Sequence, residues 1–131
     1  MKIGDKASLS RKVTEADIEE CAKLTQDQNP LHMDETFAKE HRFGKRIAHG
    51  VISLGFLSAV MGNKLPGPGT IILNMDLKFL APVFIGDIIT AEVEVVEIKE
   101  AKGIITLKTE CQNQNKTILI SGIVVVLFKN S

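Results

Sequence analysis

The spacing of apolar residues changes along the chain, and each change predicts a different element. In residues 14–24, Ile18, Cys21 and Ala22 fall at i, i+3 and i+4 among charged neighbours, the spacing of one helical face. Thr14 offers a capping oxygen, and Glu15, Asp17 and Glu19 lie near the positive end of the helix dipole. Pro30 lacks an N–H and pushes Asn29 out of the helical region, so residues 26–34 read as a loop. Asp34 then caps a short helix over residues 35–40, with Phe37 and Ala38 as its apolar contacts. Residues 51–61 are apolar on nearly every side, broken only by small residues such as Ser53, Gly55 and Ser58, and this predicts a helix buried all round. Gly62-Asn63 closes it, and Leu65-Pro66-Gly67-Pro68-Gly69 is a connection no helix can enter.

After residue 69 the period falls to two. Strands are predicted over residues 70–79, 87–99, 103–112 and 117–129, with an earlier one over 7–13. In Ala91-Glu92-Val93-Glu94-Val95 the carboxylates share one face and the apolar groups the other. Turn residues at Pro82, Gly86-Asp87, Lys102-Gly103 and Asn113 to Asn115 separate the runs by short connections, which favours antiparallel pairing. About five strands and one wholly apolar helix predict an α+β architecture, a curved antiparallel sheet wrapped round that helix. Such a sheet leaves an edge strand and an apolar rim, so pairing of two copies is expected.

The 131 residues suffice for one domain, and 44% hydrophobic with 24% charged residues fits a globular protein. Sixteen basic residues balance sixteen acidic ones, so no excess cation displaces counterions from nucleic acid or an anionic membrane, and neither is expected as a partner. Tyr and Trp are absent, leaving six Phe, too few aromatics for a base-stacking platform. Cys21 and Cys111 form no CxxC and stand far apart, which predicts two free thiols in a reducing compartment rather than a disulfide or zinc site. Charges interrupt the first residues where a signal peptide needs an apolar run, and no stretch reaches the roughly 18 apolar residues of a membrane span. A cytoplasmic location is the expectation.

Chemistry concentrates at two places. Asp27 and His32 are joined by a Pro-containing loop that can turn both side chains to one point, and a carboxylate beside an imidazole is apparatus for holding and deprotonating a water. His41 and His49, taken singly, read as structural side chains. Gly50 opens the apolar helix, whose first N–H groups lack intrahelical partners and can receive developing negative charge on an oxygen, an effect of about 3–4 kcal/mol per donor in known oxyanion holes. Simple capping by a small residue is the alternative there. For Ser58, a bond back to a carbonyl four residues earlier is the commoner fate.

Asp27-Gln28-Asn29-Pro30-Leu31-His32-Met33-Asp34, then Ala48-His49-Gly50, Leu65-Pro66-Gly67 and the run from Phe79 to Asp87 together resemble the MaoC-like dehydratase family, in its small single-domain (R)-specific enoyl-CoA hydratases. The likeness runs through nearly the whole chain in order. It implies one hot-dog domain over residues 1–131, a homodimer, and reversible syn addition of water to trans-2-enoyl-CoA, giving (R)-3-hydroxyacyl-CoA. It implies Asp27 and His32 as the catalytic pair, Gly50 as backbone donor to the thioester oxygen, and Asn29, Ser58 and His49 as substrate-side residues. It implies no metal and no bound cofactor, with CoA present only as the carrier of the substrate. Arg42, Lys45, Arg46 and Lys64 are candidates for CoA phosphates. A dehydratase subunit acting on acyl-carrier protein and a non-catalytic acyl-thioester binder are the competing readings, and the paired Asp27 and His32 argue against a thioesterase.

Overall fold

The alternating runs form five antiparallel strands in a computed structural model that describes residues 1–129. The elements in order are β1 (Lys6–Lys12), α1 (Glu15–Thr25), α2 (Pro30–Met33), α3 (Glu35–Lys39), α4 (Gly50–Asn63), β2 (Ile71–Phe79), β3 (Ile88–Lys99), β4 (Ile104–Gln112) and β5 (Ile118–Leu127). The sheet runs β1-β3-β4-β5-β2, so β1 and β2 are its edges. Register shifts between Val95 and Glu97, between Cys111 and Gln112 and between Ile72 and Asn74 mark irregularities of the bulge type, which bend strands and increase their twist. The curved sheet closes on α4: Ala91, Val93, Val95, Leu107, Val124 and Val126 pack in one buried cluster with Leu57, Val60 and Met61 of the helix. Gly122 of β5 has a steric reason to lack a side chain, because a Cβ there would run into the Asp76 carbonyl of the neighbouring β2.

Two expectations are corrected. Residues 26–34 are not all loop, because Pro30 begins a helix as well as ending one: it sits at the first position of α2, where its missing N–H costs nothing, and the Asn29 side chain caps it by accepting from Leu31 N–H. Helix α4 is also not buried all round. Its sheet-facing residues Leu57, Val60 and Met61 are fully enclosed, but Val51 is 50% exposed and Ser58 is exposed, since a five-stranded sheet covers only one side of a helix. The edge strand β2 is likewise bare, with Ile71, Leu73 and Phe79 each more than half exposed. Among the described residues, no helix is long and apolar enough to cross a membrane.

Candidate active site

The segment after α1 is aimed by three successive side-chain-to-backbone bonds. Helix α1 stops at Gln26, whose φ of 65° is left-handed and turns the chain. Thr25 Oγ1 then accepts from Asp27 N–H at 3.2 Å, Asp27 Oδ1 from Asn29 N–H at 3.1 Å, and Asn29 Oδ1 from Leu31 N–H at 3.0 Å. These replace a helical ladder and hold Asp27 at the tip, its side chain exposed. At the third residue of α2, His32 is buried and donates from Nδ1 to the Ile47 carbonyl at 2.8 Å, which leaves the Nε2 lone pair free. Arg46 braces the same place: its Nε donates to the His32 carbonyl at 2.6 Å while its Nη1 pairs with Glu15 at 2.6 Å.

Asp27, His32 and His49 each place a ligand atom within 4.8 Å of the others. Two hydrogen bonds of normal length meeting at a tetrahedral water span roughly 4.6 Å, so carboxylate and imidazole stand within the reach of one shared water. The same three groups are the place among the described residues where a divalent cation would find two nitrogens and a carboxylate. His49 differs from the other two. It is 2% exposed, donates from Nε2 to the backbone carbonyl of Asp27 at 3.0 Å, and lies over the His32 ring with centroids 4.1 Å apart and planes at 34°. Its Nδ1 is buried without a partner.

Beside His32 opens a cavity of about 460 Å³, within the range of small-molecule sites, lined among others by Gly50, Ser53, Phe79, Leu80 and Leu119. His49 is the N-cap of α4, but its side chain is turned to Asp27 and makes no capping bond. Among the described residues the N–H of Gly50 has no acceptor, so the helix presents an open donor at the wall of an apolar pocket. Ala48 N–H, bonded to the Val83 carbonyl at 2.7 Å, fixes the entry of α4 against that wall.

The sequence-predicted residues therefore separate. His32 and Gly50 line the cavity, while Asp27 stands within 4.8 Å of His32 but off the cavity wall. Asn29 shapes the loop through its backbone N–H and its capping side chain and does not line the cavity, and His49 packs against His32 and is likewise off the cavity wall. Ser58 does not line the cavity of the single chain either; Ser53 does, and the two stand about 140° apart around the helix, at 3.6 residues per turn. Ser53, at i+3 from Gly50, is the residue that helical spacing from Gly50 would have picked out. Of the four cations, Arg46 is held by Glu15 and Lys64 by the Ser8 carbonyl, whereas Arg42 lines the cavity and Lys45 lies 4.2 Å over the Phe84 ring. Both cysteines are free, and burial pushes the Cys111 thiol up to about 12, so it supplies no thiolate.

The model of one protein family, the MaoC like domain, matches residues 2–117. An (R)-specific enoyl-CoA hydratase of Rhodospirillum rubrum is 45% identical over 119 residues, 91% of this chain and 83% of that protein. One from Aeromonas caviae is 40% identical over 126 residues, 96% and 94% of the two chains. The solved structure of the (R)-hydratase from A. caviae involved in PHA biosynthesis superposes with a TM-score of 0.93 at 40% identity, covering 98% of this chain and 97% of that one.

Proposed function

The chain belongs to the MaoC-like domain family, and from that footing we propose that it is an (R)-specific enoyl-CoA hydratase, adding water reversibly across the double bond of a trans-2-enoyl-CoA. The observation that carries this reading is the place of His32, which lines the apolar cavity together with Gly50, whose N–H is open, and has the Asp27 carboxylate within 4.8 Å. The thioester oxygen rests on Gly50 N–H, which draws electron density towards it and makes C3 electrophilic. A water held between Asp27 and His32 Nε2 gives one proton to His32 as its oxygen bonds to C3. The π electrons move to C2 and the thioester, and the proton returned to C2 comes from the same pair, which ends as it began. The acyl chain occupies the apolar cavity. No step needs a metal or an organic cofactor.

The test follows the absorbance of the conjugated enoyl thioester with crotonyl-CoA, with a thiol reagent in parallel and EDTA-treated protein as a further arm. Loss of absorbance without thiol release, unchanged by EDTA, is expected. Thiol release would mean a thioesterase, and binding without turnover would mean an acyl-thioester binder.

The protein acts as a homodimer in this reading, because the bare β2 edge and exposed Val51 are apolar surface that a second copy would cover. Light scattering at micromolar concentration should give twice the mass of one chain; a monomer would refute this. Arg42 and Lys45, the two of the four candidates held by neither a carboxylate nor a backbone carbonyl among the described residues, stand at or near the cavity and suit the phosphates of the carrier. Arg42→Glu with Lys45→Glu should raise KM for crotonyl-CoA about tenfold or more and leave kcat nearly unchanged, with no effect on a crotonyl thioester that lacks phosphates. Equal losses on both substrates would remove the phosphate role.

A further inference from the structure

We infer that His49 is a positioning residue of this site, holding the general base and the carboxylate in register without touching substrate; the inference rests on the hydratase reading above. Three contacts support it. The Nε2–H donates to the carbonyl of Asp27 at 3.0 Å, so His49 anchors the backbone from which the carboxylate projects. The ring lies against His32 at 4.1 Å between centroids, on a side of that imidazole which the Ile47 bond does not restrain. As N-cap of α4 it also precedes the N–H that meets the thioester oxygen. One residue thus ties the segment that carries Asp27 and His32 to the helix entry that carries Gly50.

The Nε2–H bond, made in spite of an unpartnered Nδ1, explains why this residue is a histidine. A buried acceptor with no donor is a cost that a leucine or phenylalanine of similar bulk would not carry. What those residues lack is the Nε2–H donor to Asp27. The side chain is 2% exposed and absent from the cavity wall, so it acts through its neighbours.

Three substitutions separate the contacts. His49→Gln keeps a donor towards Asp27 and loses the ring; His49→Phe keeps a ring over His32 and loses the donor; His49→Leu loses both. In His49→Leu, kcat for crotonyl-CoA should fall about thirtyfold or more with KM within about threefold, as misplacement of reacting groups does. His49→Gln should recover about tenfold of that loss. Amide hydrogen exchange supplies a reading independent of substrate: the Asn29 N–H, bonded to Asp27 Oδ1, should exchange about tenfold faster in the Leu and Phe variants and remain protected in the Gln variant. If the Leu variant does not fold, the Gln and Phe pair decides by the same two measurements. Wild-type kcat in a folded variant lacking the donor, a rise in KM at constant kcat, or equal Asn29 exchange in all variants would overturn the positioning role. Failure of wild-type protein to hydrate any enoyl-CoA, with the exchange pattern as expected, would instead overturn the hydratase reading and leave the anchor standing.

Discussion

Asp27→Asn and His32→Asn are each expected to lower turnover of a trans-2-enoyl-CoA by at least about a hundredfold, the lower end of what a positioned acid or base contributes. The choice of asparagine separates chemistry from fold. At position 27 the amide oxygen can still accept from Asn29 N–H, and the side chain is exposed, so the loop keeps its shape while the negative charge disappears. At position 32 the amide nitrogen stands near the place of Nδ1 and can donate to the Ile47 carbonyl, while the lone pair that takes the water's proton is lost. Initial rates with crotonyl-CoA and thermal melts check both. Turnover near the wild-type level in either folded variant would remove that residue from the mechanism.

The second large effect concerns a single backbone hydrogen. Gly50→Pro deletes the N–H proposed to hold the thioester oxygen, at a position where proline is otherwise well placed. It is the first residue of α4, where the N–H has no intrahelical acceptor to lose. The residue before it, His49, already has φ −59° and ψ 131°, the extended conformation that a following proline demands. Loss of an oxyanion donor lowers kcat by about 100- to 1,000-fold in known cases, and a similar loss is expected here. Gly50→Ala is the control, since it keeps the N–H and adds a Cβ that meets Phe79 Cε1 at 3.0 Å, a tight contact with a side chain at the exposed edge. The alanine variant should lose less than about tenfold. If alanine and proline lose equally, the effect is steric and the backbone donor has no special role.

Much of this arrangement was legible in the chain because it is local. The period-two runs located the five strands to within a residue or two at each end, since side chains alternate across a sheet wherever one face is buried. Asp27, His32 and Gly50 stood out because the turn at Asn29-Pro30 and the opening of an apolar helix are both written in short stretches of sequence. What could not be read depends on contacts between distant segments. Ser58 and Ser53 are both hydroxyls on an apolar helix, and only the direction from which the sheet covers α4 decides which of them reaches the cavity. Helix α4 looked buried all round because composition alone does not reveal how much of its surface one sheet can cover. His49 was drawn towards the substrate by its place in the motif, yet its partner is the backbone carbonyl of Asp27, and a backbone acceptor has no signature in sequence. Asn29-Pro30 carries two equally local meanings, a stop for the helix before it and a capped start for a helix that begins with proline, and the chain uses both.

The central claim is that one water, held by Asp27 and His32 on a single side of the enoyl plane, supplies both the oxygen at C3 and the hydrogen at C2. Hydration of crotonyl-CoA in heavy water, followed by proton NMR of the product, tests it most directly, because the coupling between the C2 and C3 protons identifies the diastereomer formed. The account predicts a single deuterium at C2 on the same face as the new hydroxyl, with the (R) configuration at C3. Deuterium on the opposite face, or a mixture of both diastereomers, would mean that oxygen and proton arrive from separate sources and would contradict the shared-water pair.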